Sequence, residues 1–70
     1  MVKVPSNVLE AIVFIRDSGL TNMLAVNVVI SLCRDFEFHA AGVWIGTHRS
    51  EYAQGIMEGF EPDGPVQPTE

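Results

Sequence analysis

A single cysteine, Cys33, most restricts the folds open to this chain. One thiol forms no internal disulfide, and no Cys/His set stands at zinc spacing. The chain is 70 residues long. A domain of about 60 residues buries only about 60% of its unfolded surface, and domains this small lean on disulfides, a metal or oligomerisation. With the first two removed, self-association is the expected device, most simply as a homodimer. The same length allows one domain and excludes a βαβ cofactor fold, a barrel or a two-domain enzyme. At 47% apolar the sequence is too greasy for disorder throughout.

The apolar residues recur with helical period. Residues 5–18 read as a first helix, opened by Pro5 and Ser6, with Asn7 and Glu10 as a weak capping box and Gly19 as its stop. Val8, Ile12 and Ile15 form its stripe, widened by Leu9. Val13 and Phe14 are also apolar, so this helix is greasy on more than one face, and a domain this small has no centre in which to hide it. Leu20 and Met23 are expected to tuck under the following turn. Residues 27–36 read as a second helix with Asn27 as N-cap and a Val28, Leu32, Phe36 stripe, widened by Val29 and Cys33. A strand is the competing assignment there, because the segment is rich in β-branched residues. Residues 38–47 and 50–59 complete the set: Ala41, Trp44 and Ile45 share one face, and Ser50 caps a helix bearing Tyr52, Ile56 and Phe60, joined by Ala53 and Met57. The fold class is therefore all-α, a small bundle of three or four short helices over residues 1–60. Residues 61–70, with three prolines, three acids and no large apolar residue, read as a disordered acidic tail.

Nine acidic residues stand against four basic ones, a net charge of −5. This disfavours nucleic acid and anionic membrane surfaces as partners. Phe38 to Thr47, the place of a recognition helix in a helix-turn-helix, contains no Lys, Arg, Asn or Gln to read base edges. Outside the tail six acids face four bases, so the body is only mildly acidic at −2. No stretch approaches a membrane span and the longest early apolar run, Ala11 to Ile15, is too short for a signal core, so a cytoplasmic setting is expected.

Reactive chemistry has few candidates. Cys33, Asp35, Glu37, His39 and His48 are the whole inventory, and Cys33 sits on an apolar stripe with no glycine-rich segment to shape an oxyanion hole. No enzyme activity, catalytic residue, metal or cofactor is expected. Arg34 and Glu37 are spaced for an ion pair at i, i+3. The small-xxx-small elements Gly42 to Gly46 and Gly55 to Gly59 read as relief of crowding or as helix ends.

Val8-Leu9-Glu10, then Ile15-Arg16-Asp17-Ser18-Gly19-Leu20-Thr21-Asn22-Met23, Trp44-Ile45 and Tyr52-Ala53-Gln54-Gly55-Ile56-Met57-Glu58-Gly59-Phe60 together resemble a family of short uncharacterised phage and prophage proteins. The resemblance covers residues 4–60, and its most specific element is Arg-x-Ser-Gly-x-Thr-Asn-Met, here Arg16 to Met23. Positions 13 and 14, where that pattern implies more polar residues, are Val and Phe. The resemblance implies a phage-type accessory protein that binds and inhibits a host bacterial protein, as anti-defence proteins do, inside the host cytoplasm. Val13, Phe14, Arg16, Thr21, Asn22, Trp44 and Tyr52 are the candidate interface residues. The alternatives are an oligomeric sequestering protein for a signalling nucleotide, using Arg16 or Arg34 and the Thr21-Asn22 loop, or a nucleic-acid-associated regulator.

Overall fold

The computed structural model describes residues 1–63. Its elements in chain order are β1 (Val2–Val4), α1 (Ser6–Ser18), α2 (Val26–Asp35), α3 (His39–Thr47), α4 (Arg49–Glu58) and β2 (Phe60–Pro62). It is the small helical domain that the periodicity implied, with one addition. β1 and β2 pair in parallel, Val2 against Phe60, Lys3 against Glu61 and Val4 against Pro62. Glu61, Pro62 and Asp63 thus belong to the folded body rather than to the expected tail: the first two complete this ladder, and the Asp63 N–H donates to the Val4 carbonyl at 2.6 Å. Residues 64–70, the remainder of that tail, lie outside the described residues.

α1 buries Val8, Ala11, Ile12 and Ile15, the stripe read from its period. It stops at Gly19, whose φ of 69° is left-handed backbone that glycine adopts without a Cβ penalty. The expected side-chain caps do not form: Pro5, Ala25 and His48 stand at the N-caps of α1, α2 and α4, none with a side-chain cap bond. Asn27 lies inside α2 rather than at its cap, and Asn22 shapes the loop before it: its Oδ1 accepts from the Leu24 N–H at 2.8 Å in an Asx turn. Leu20 is exposed, whereas Met23 is half-buried.

α2 inverts the expected face. Val29 and Cys33 are buried, whereas Val28 and Phe36 are exposed. Both stripes are apolar, and the one that also meets α3 goes inside. Gly42 makes that meeting close: a Cβ there would lie 3.4 Å from Cβ of Cys33. On α4, Tyr52 and Gly55 are buried while Met57 is 77% exposed, contrary to its expected core position, because it follows the outer side of the helix. The core joins Val4 of β1, the α1 stripe, Val29, Cys33, Ile45 and Tyr52.

Candidate interaction surface

Phe14 is the hub of the most distinctive surface. It lies beside the buried α1 stripe and remains 49% exposed. Its ring meets Phe36 edge-on at 5.2 Å between centroids and Phe38 at 5.4 Å. Such edge-to-face pairs add about 1 kcal/mol each beyond the area they bury. Phe36 is 40% exposed, and Val28 and Leu32 continue its side of α2 at four-residue spacing. Only Phe14 of this patch stood among the candidate interface residues. Phe36 and Phe38 were legible as aromatics, but nothing local in the sequence brings both to Phe14.

Backbone geometry at Glu37 does so. α2 ends in a Schellman turn: the Glu37 N–H donates to the Arg34 carbonyl at 3.0 Å and the Phe38 N–H to the Cys33 carbonyl at 2.6 Å. The pivot has φ 65° and is a glutamate where such turns favour glycine. Glu37→Gly should therefore raise stability by about 1 kcal/mol, read as a higher urea midpoint with an unchanged slope. The same turn separates Arg34 from Glu37, and the expected ion pair between them is absent. Arg16 with Asp17, at 3.2 Å and exposed, is the ion pair found among the described residues.

Behind α1 lies a depression. Leu9, Ile12 and Val13 face Met23, Ile56 and Phe60 across a cleft of about 410 Å³ with Gly55 and Gly59 in its wall and Arg16 at its rim. Val13 is half-buried there, so α1 has apolar surface on both flanks of its core stripe.

The remaining candidates are engaged within the chain. Thr21 donates its hydroxyl to the Asn22 carbonyl at 3.3 Å, and Asn22 closes the turn before α2. Tyr52 is fully buried and donates its hydroxyl to the Met23 carbonyl at 2.5 Å, so it is a core latch on that loop rather than an interface residue. Trp44 is half-buried, its ring stacked on His48 at 4.4 Å, and His48 Nδ1 lies 2.9 Å from the Trp44 carbonyl.

Burial pushes the Cys33 thiol above its ordinary pKa, the opposite of an activated nucleophile. No three His, Cys, Asp or Glu side chains are placed to hold a metal among the described residues. Burial, with Cys33 nearby, also pushes Tyr52 up to about 12. In the unfolded chain the phenol ionises near its ordinary value of 10, so the folded state is favoured below that pH and loses the advantage as pH rises toward 12. Alkaline unfolding is expected between those values, with the tyrosinate absorbance rising together with the loss of helical ellipticity.

What these features define is a small helical domain whose most distinctive surface is the aromatic face around Phe14. Residues 5–60 match the profile of a protein family described as "Domain of unknown function (DUF5049)", and the chain belongs to that family. No curated protein and no solved structure matches it. No helix among the described residues is long and apolar enough to cross a membrane.

Proposed function

We propose that the protein is a non-enzymatic binding module that acts by covering a site on another protein, with the aromatic face around Phe14 as its contact surface. In the setting the phage resemblance implies, that protein belongs to the bacterial host and is inhibited by being covered. The observation that carries this is the half-exposed Phe14, held edge-on by Phe36 and Phe38. Aromatic residues, Phe among them, are enriched at the buried centre of protein interfaces.

The test is a pull-down from bacterial lysate with the tagged full chain and its Phe14→Ser variant. The wild type is expected to retain a specific protein that the variant, folded by far-UV circular dichroism, loses. Retention of the same protein by both, or of none by the wild type, overturns the proposal.

A further inference from the structure

The aromatic face has a rim of one sign. Glu10 and Asp17 lie a helical turn before and after Phe14 on α1, and positions three or four apart are neighbours on a helix surface. Asp35 lies three residues past Leu32 along the same side of α2, and Glu37 follows Phe36 at the left-handed turn. All four acids are exposed. The nearest arginines point elsewhere. Arg16, two residues from Phe14, projects from the opposite side of α1 and lines the cleft behind it, touching the rim only through its exposed pair with Asp17. Arg34, two residues past Leu32, lies across α2, where it lines a groove with Ile30, His39, Gly42 and Val43. Arg16 offsets at most Asp17, so a border of four acids against one guanidinium stays net anionic.

Resting on the reading that this face is a binding surface, we infer that its occupant is a basic amphipathic helix of the partner protein. Apolar side chains spaced three and four apart along such a helix cover Phe14, Val28, Leu32 and Phe36, and flanking Lys or Arg side chains meet the acids. A second copy of this chain fits less well. A twofold axis through Phe14 sets Glu10, Asp17, Asp35 and Glu37 of each chain against the same acids of the other, and like charges facing across an interface oppose association.

The experiment uses the full chain and two fluorescently labelled model peptides, one of Leu and Lys at amphipathic helical spacing and one with Glu replacing every Lys. Fluorescence anisotropy should show the Leu–Lys peptide binding roughly tenfold or more tightly than the Leu–Glu peptide at low salt, an advantage that shrinks as salt is added. The Glu10→Gln/Asp17→Asn double variant should weaken it several-fold. Phe14→Ser and Val28→Ser keep the net charge, and each should lose roughly tenfold. Leu–Lys binding untouched by either serine variant is attraction by net charge alone and overturns the inference. Equal binding of both peptides that is lost in Phe14→Ser keeps the apolar binding face and overturns the basic occupant. A dimer in sedimentation that Phe14→Ser dissociates gives the face to a second copy, with the same consequence. Binding of neither peptide overturns the inference, and the lysate experiment then judges the binding face by itself.

Discussion

Tyr52→Ala should remove most of the protein's stability at 25 °C. Tyr52 is the largest fully buried side chain, on α4, and it packs in the core that joins α1, α2 and α3. Truncating a buried aromatic to alanine costs about 3–5 kcal/mol. A chain of this length has a total stability on the order of 5 kcal/mol. Tyr52→Phe separates the ring from its hydroxyl. It keeps the packing and removes only the donor to the Met23 carbonyl, for a loss of about 1 kcal/mol. In a domain this small that is a fall in Tm of about 4–8 °C. Urea denaturation followed by far-UV circular dichroism measures both variants. An unchanged midpoint for Tyr52→Phe would show that the latch on Met23 contributes nothing. The latch matters beyond stability because the loop it holds leads directly into α2, and α2 carries half of the aromatic face.

The helices were legible because each repeats an apolar residue every three or four positions, and the observed ends fall within a residue of those expected. Which face of α2 turns inward was not. Val28, Leu32 and Phe36 repeat as regularly as Val29 and Cys33, and period alone does not rank two apolar stripes. The choice is made by α3, where Gly42 lets the backbone come close to Cys33. The sheet had no local signal. Its strands are three residues each, too short to show alternation, and one ends in a proline. They are joined from opposite ends of the folded body, so the pairing is a consequence of helix packing. The candidate surface shows the same division. Phe14 stood out because an apolar residue beside a complete core stripe has nothing left to bury against in a small domain. Phe36 and Phe38 reach it only through the left-handed backbone of Glu37, a residue whose identity gives no hint of that conformation. Tyr52 was misassigned for a related reason: an aromatic in a family motif looks the same whether it anchors a partner or latches a loop.

Gly55→Ala should destabilise the protein although alanine is the better helix former. Gly55 is buried within α4, and a Cβ there would overlap Cε1 and Cζ of the Phe60 ring, which lies across it. Overpacking of this kind costs about 1–3 kcal/mol, more than the roughly 1 kcal/mol gained from helix propensity. The test is a double-mutant cycle with Phe60→Ala. With the ring removed, the atoms that the added methyl overlaps are gone, and Gly55→Ala should then stabilise by about 1 kcal/mol. The sign reversal amounts to a coupling on the order of 2 kcal/mol. Stabilisation by Gly55→Ala in the wild-type background would show instead that Phe60 swings aside at no cost. The ring is held on one side and at its backbone. It is packed beside Tyr52 at 6.0 Å between centroids, and its backbone is fixed by pairing with Val2. Its other side forms the wall of the cleft that faces Leu9 and Val13. A Phe60 ring displaced by the new methyl moves into that cleft or pulls β2 from β1, so the absent side chain at Gly55 keeps both the parallel pair and the second apolar flank of α1 in place.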